Sequence, residues 1–388
     1  MNNEEARARI QELARGEGFP LTRFASAEPI SGSREAALAR LREGRLEGLG
    51  WITDEWLTRA TDPDRFLPGA RSVVLVALPY KGSDAVPTDG ATRGRVARYS
   101  RGRDYHRVFE KKLRRVAKAI RKELGAETRA TVDYGPLLER PLAAAAGLGW
   151  LGKSTMLLTP GFGPWMLLGA VATDLDLRPD EPLKKTCGAC TRCLVACPTG
   201  ALSPEGNLLD ARLCISYHTI ENRGPIPREL RAKFGDWIFG CDDCLEACPV
   251  GATSNAAYPD LSPQSLDDAR PALAELLALD QVGFEARYRG HAIMRTKRDG
   301  FLRNVCVALG NVGTAADLSA LGSALSDSSP LVRGHAAWAV GHLGARLGSA
   351  AAGKMLADGL QVETEATVRE ELECALRELS VPSASDHC

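Results

Sequence analysis

Apolar residues recur at two different periods along this chain, and the switch between them divides it. Val73 to Leu78 is an uninterrupted apolar run closed by Pro79, the pattern of a buried strand. Thr128 to Val132 and Trp165 to Thr173 read as two more strands. Tyr105 to Leu124 carries Phe109, Leu113, Val116, Ile120 and Leu124 at helical spacing, which predicts a long amphipathic helix. Glu139 to Ala146 is an alanine-rich helix former. Residues 1–70 read as helices, with Leu38, Leu41 and Leu46 set among charges and a stop at Pro68 and Gly69. A polar Gly/Pro/Asp stretch fills residues 81–94. Strands alternating with helices over residues 70–175 imply an α/β domain.

Periodicity fades over residues 180–260, where Cys-Pro turns dominate, as in a ferredoxin-like insert folded around its metals. From about residue 284 the pattern turns helical and repeats. Leu302 and Arg303 lead to Ala308 through Gly313, and about 30 residues later Val332 and Arg333 lead to Ala339 through Gly344. A third copy begins at Val368 and Arg369. Such a period predicts stacked helical pairs of the HEAT kind.

At 388 residues, with 44% hydrophobic and 25% charged residues, the chain has the composition of a soluble globular protein with two or three domains. Met1 to Ile10 is rich in Glu and Arg with no apolar core, so no secretory signal is read there. No run of about 20 apolar residues predicts a membrane span. These features predict a cytoplasmic protein. The net charge is zero, so any polyanionic partner must meet a local patch. Two stand out: thirteen Lys/Arg against two acids from Arg93 to Lys122, and six against two from Phe284 to Arg303.

Eight of the eleven cysteines lie between Cys187 and Cys248, which reads as metal binding rather than cross-linking. Cys187-x2-Cys190-x2-Cys193-x3-Cys197-Pro198 is the bacterial ferredoxin run, in which the fourth cysteine serves the other cluster. Cys241-x2-Cys244-x3-Cys248-Pro249 mirrors it, and Cys214 supplies a distant ligand. The crossing rule gives one [4Fe–4S] cluster Cys187, Cys190, Cys193 and Cys248, and a second one Cys197, Cys214, Cys241 and Cys244. Two four-thiolate zinc sites are the alternative, disfavoured by the paired x2, x3, Pro endings. Cys306, Cys374 and Cys388 read as bystanders. Gly147 to Ser154 matches G-x4-G-K-[ST] letter for letter, yet a helix former precedes it and Met156 to Pro160 is too short for the helix a phosphate loop needs. Two clusters relay electrons without saying what is reduced. A non-enzymatic electron carrier therefore stays open beside an enzyme that spends those electrons.

With these pieces assembled, the chain resembles the epoxyqueuosine reductases, enzymes of the last step of queuosine synthesis in tRNA. The resemblance runs through Arg98-Tyr99, Asp104-Tyr105-His106, Val132-Asp133 with Gly135-Pro136, Glu139-Arg140, and Gly147 to Lys153. It continues in both cysteine groups, Cys214 to Glu221, Gly224 to Pro227, Arg295 to Asn304 and the helical tail. It implies an α/β cobalamin-binding catalytic domain (1–178), a ferredoxin-like domain with two [4Fe–4S] clusters (179–260) and a C-terminal α-helical HEAT-like repeat domain (261–388). It also implies reduction of epoxyqueuosine at the tRNA wobble position. Reductive dehalogenases look related in the cobalamin and cluster parts but usually carry an export signal.

The resemblance names Asp133 as proton donor, its pKa raised by desolvation beside a corrin; a turn aspartate bonding its own backbone is the plainer reading. His106 and Tyr105 are expected to position substrate, with Asp104 readable simply as a helix cap. Arg59, Asp133, Lys153, Ser154 and Ser216 are the expected cobalamin contacts. Arg295, Lys297, Arg298 and Arg303 are expected to hold tRNA phosphates. The D-x-H-x-x-G signature of histidine-ligated cobalamin is not met, and His218 stands where an apolar residue is expected. A monomer that takes electrons from a separate donor completes the expectation.

Overall fold

The structure, a computed structural model, describes residues 2–84 and 89–380; Cys388 and part of the 81–94 stretch lie outside the described residues. The chain forms two compact units, each assembled from three stretches. Unit 1 takes the residues up to Ser83, then Arg98–Arg212 and Asp242–Ser262. Unit 2 takes Asp84–Ala97, Leu213–Cys241 and the residues from Pro263 onward. The sequence reading of three consecutive domains cuts the chain differently, since each of these units draws on three separate stretches. Pairings such as Arg95–Val96 with Trp237–Phe239 tie distant stretches into one body.

Unit 1 is built on helix α1 (Asn3–Gly16) and a four-stranded sheet. Its strands are β1 (Leu21–Ser26), β2 (Ser72–Pro79), β3 (Thr128–Thr131) and β4 (Met166–Thr173), in the order β1-β2-β4-β3. Every pairing in it is antiparallel. β1 was missed in the sequence because Leu21–Ser26 alternates only weakly between apolar and polar residues.

The unbroken apolar run of β2 follows from burial on both faces. Val74, Val76 and Leu78 enter one core with Ile10, Phe24 and Phe109, while Val73, Leu75 and Ala77 enter another with Phe66, Leu142 and Ala146. α2 (Tyr105–Leu124) covers the first face through Phe109, Leu113, Val116 and Ile120. Gly169 of β4 lets it approach, since a Cβ there would lie 2.3 Å from the Phe109 ring. α3 (Glu139–Ala145) serves the opposite face.

Unit 2 contains α4 (Ile215–Ile220), α5 (Lys297–Val312), α6 (Leu318–Ala324), α7 (Pro330–Leu347), α8 (Ala350–Val362) and α9 (Ala366–Ser380). The sequence repeat falls on α5, α7 and α9. Small residues let these helices pack closely: a Cβ on Gly310 would meet Trp338 at 2.7 Å, and one on Gly341 would meet Ala375 at 2.7 Å. Among the described residues no helix is long and apolar enough to cross a membrane.

Candidate active site

The N-terminus of α2 and the end of β3 meet in unit 1, and four ionisable groups converge there. Asp104 caps α2 by accepting from the His106 N–H, and its Oδ1 also lies 2.8 Å from His106 Nδ1. The cap reading of Asp104 is therefore correct but incomplete. Nε2 of the same imidazole lies 3.1 Å from Asp133 Oδ2, and the Tyr105 hydroxyl donates to that same oxygen at 2.5 Å. Tyr105 and His106 stack, with ring centroids 3.9 Å apart.

Asp133 directly follows the buried Val132 and adopts a left-handed φ of 51°, a conformation that costs energy for a residue with a Cβ. Its N–H donates to Glu139 Oε1 at 2.6 Å, at the start of α3. The turn is tight enough that a Cβ on Gly135 would fall 1.5 Å from Thr131 Oγ1.

Electrostatics divide these groups. The surrounding protein disfavours charge on Asp133, but hydrogen bonds from His106 and Tyr105 outweigh it and hold the carboxyl below its usual range. The charges of His106 and Arg140 add to those bonds. On the protein's own contacts Asp133 is an anion, and the raised pKa was expected of the corrin-bound site. Burial works against a charged His106 too, yet the bonds to Asp104 and Asp133 push it up to about 9. Burial, then the Asp133 charge, pushes Glu139 up to about 8. At neutral pH the site holds an imidazolium bonded to a carboxylate, with a neutral Glu139 behind the turn.

In the same unit, Cys187, Cys190, Cys193 and Cys248 are neighbours. Burial, followed by the charges of Cys187 and Cys248, raises the Cys193 thiol; burial, followed chiefly by Cys187 and Cys190 among the charges, raises that of Cys248. These are the four thiols, three from one loop and one from a distant turn, that the sequence expected to hold one cubane cluster. Cys197 and Cys244 also belong to unit 1; Cys214 caps α4 and Cys241 follows Trp237–Phe239, both in unit 2.

Two comparisons decide the family. The chain is 40% identical over 352 residues to the epoxyqueuosine reductase of Xanthomonas campestris, covering 88% of this chain and 97% of that one. It is 36% identical over 328 residues to that of Escherichia coli, covering 83% and 84%. The chain belongs to the epoxyqueuosine reductase family. It is accordingly an oxidoreductase.

Family models agree piece by piece: an epoxyqueuosine reductase model matches residues 60–134, a 4Fe-4S double cluster binding model matches 186–251, and HEAT repeats match 291–377. Among solved structures, an epoxyqueuosine reductase crystallised with an epoxyqueuosine-modified tRNA-Tyr stem loop superposes with a TM-score of 0.90 at 30% identity, over 98% of this chain and all of that one. The Bacillus subtilis reductase, with its catalytic aspartate loop swung out of the active site, superposes with a TM-score of 0.88 at 29% identity, over 97% and 100%.

The remaining expected residues scatter. Gly147 to Ser154 is no phosphate loop, since Trp150–Leu151 pairs with Leu157–Leu158 as a hairpin. Lys153 donates to the Gly188 carbonyl at 2.9 Å, bracing the first cysteine loop rather than standing free for cobalamin. Ser154 is 6% exposed and offers little surface to a large cofactor. Arg59 is exposed at the end of the helix Asp54–Ala60, and Ser216 is half-buried in α4 of unit 2. A donor the sequence did not single out is the Trp150 indole N–H, buried with no partner.

Two expected phosphate contacts are corrected. Arg303 is fully buried and donates to the carbonyls of His218, Asn222 and Gly224, while burial lowers its guanidinium to about 9. Arg298 is 11% exposed and held by Asp327 at 2.5 Å and the Leu279 carbonyl at 2.8 Å. Arg295 is exposed but bonded to both oxygens of Glu221, and Lys297 is exposed at the start of α5. His218 is a core histidine, 4% exposed, with Nδ1 3.1 Å from the Asn222 amide nitrogen.

Proposed function

We propose that this protein reduces the epoxide of epoxyqueuosine at the wobble position of tRNA to give queuosine, as a cytoplasmic monomer supplied with electrons by a separate donor. Its first cluster sits on Cys187, Cys190, Cys193 and Cys248, and its second on Cys197, Cys214, Cys241 and Cys244. Removing the epoxide oxygen breaks two C–O bonds, forms one C=C bond and releases water, so two electrons and two protons are required. A cobalamin, when bound, supplies the low-potential electron chemistry at the carbon, fed one electron at a time through the clusters. The unpartnered Trp150 N–H is a donor suited to an amide-rich corrin.

The single observation that carries the reading is the Asp133 carboxylate bonded by both His106 and Tyr105. An anionic aspartate cannot donate a proton it lacks. The His106 imidazolium holds one and passes it to Asp133, which then passes it on to the departing oxygen, and the second proton comes from the solvent that reaches the site. Tyr105 fixes the carboxylate for that transfer.

The test is anaerobic reconstitution with iron, sulfide and cobalamin, followed by single turnover on epoxyqueuosine-containing tRNA. We expect about eight irons and one cobalt per chain, and a product nucleoside lighter by one oxygen. Zinc at two per chain without an iron chromophore, or no loss of oxygen from the nucleoside, would overturn the reading.

A further inference from the structure

α2 contains a row of cations on the face turned away from the sheet. Arg107, Lys111, Arg114, Lys118 and Lys122 are all exposed and recur every three or four residues, the spacing of a single helix face. Among the described residues the side chains of Arg107, Lys111, Lys118 and Lys122 form no hydrogen bond or ion pair. Arg114 pairs with Glu110 yet remains 70% exposed, a surface pair that a phosphate can displace. The only acids on α2 are Glu110 and Glu123, and Glu123 is taken by Arg9.

The row begins beside the chemistry, because Arg107 follows His106 directly. At about 1.5 Å of rise per residue it runs roughly 22 Å from there to Lys122. A small-molecule substrate has no use for cations so far from the reacting atoms. A base held inside a folded RNA hairpin does, since its flanking phosphates extend away from the site on a continuous backbone.

We propose that this face of α2 is the principal phosphate track for the RNA stem loop whose modified base enters the His106–Asp133 site. The proposal rests on the tRNA reading above and places the contact on unit 1, where the sequence pointed to Arg295–Arg303 in unit 2. Free cations at helical spacing hold a backbone in register without reading its bases, so the track accepts any hairpin of suitable length.

The experiment uses reconstituted holoenzyme, a labelled anticodon stem-loop RNA, and the triple variant Lys111→Glu, Lys118→Glu, Lys122→Glu. Cluster absorbance and far-UV circular dichroism check that the variant is folded. We expect its affinity to fall at least tenfold near physiological salt and the slope of log affinity against log salt to become shallower by roughly two to three units. Shortening the hairpin to the loop and a few base pairs should shrink the gap between wild type and variant. If wild type binds the stem loop with strong salt dependence and the variant matches it, the track is overturned while the tRNA reading stands. If affinity is unchanged but reduction by an acidic flavoprotein donor slows relative to dithionite, the face docks the donor instead, which also overturns it. A wild type without salt-dependent RNA affinity would remove the tRNA reading itself.

Discussion

The backbone N–H of Asp133 donates to a carboxyl oxygen of Glu139, 2.6 Å away, and so ties the strained turn to the first residue of α3. Glu139 is pushed up to about 8, so this acceptor is neutral at physiological pH. A glutamine preserves both the acceptor and the neutrality.

Glu139→Gln should therefore keep near-wild-type single-turnover rates at pH 7, whereas Glu139→Ala should lose about tenfold or more by freeing the turn. The native state retains a proton on Glu139 that the unfolded chain loses above pH 4.5, so wild-type stability falls between about pH 4.5 and 8 on this account. Denaturant melts across that window should show Glu139→Gln gaining on wild type as pH rises. Parallel curves would mean that Glu139 is not held neutral.

His106 carries the second prediction. Its pKa of about 9 lies above the ordinary 6.5, so its contribution to stability is full below pH 6.5 and is lost as pH rises through 9. The rate should follow the same proton, level to about pH 9 and falling beyond it. In His106→Asn that alkaline limb should vanish, with the rate lower by about 10²-fold at pH 7. A stopped-flow pH profile of both proteins decides it.

Asp133→Asn should leave the cluster spectra unchanged and lower single turnover by about 10²-fold or more. Asparagine neither accepts the imidazolium proton nor passes one on, so raising the proton concentration should not rescue it. Near-normal turnover would show that water reaches the departing oxygen directly.

Arg303→Met should behave as a packing lesion. Three backbone carbonyls lose their donor, at a cost of about 2–4 kcal/mol, visible as a lower denaturation midpoint. The salt slope of RNA binding should not change. A shallower slope would restore Arg303 as a phosphate contact.

Cysteine spacing and helical period were legible because each is local. Each of the two dense cysteine groups announces itself within a dozen residues, and α2 runs from Tyr105 to Leu124 as its apolar spacing predicts. What could not be read depended on partners far along the chain. Arg298 and Arg303 look like surface cations until Asp327 and the carbonyls of His218, Asn222 and Gly224 are brought to them. Asp133 reads as an isolated acid until Tyr105 and His106, some 28 residues earlier, bond to it and hold it as an anion. β1 was missed because its burial comes from β2, not from its own pattern.

The interlacing of the two units bears on how the chain is made. Arg95–Val96 pairs in parallel with Trp237–Phe239, which leaves the ribosome about 140 residues later. At about 5–20 residues per second that is a wait of roughly 7 to 28 seconds. Cys187, Cys190 and Cys193 likewise emerge well before Cys248, so a cluster on the four proposed thiols waits for the last of them. Helices α5 to α9 follow Cys248, so the cysteines are complete before unit 2 is, and a shortage of iron would act on a chain still being made.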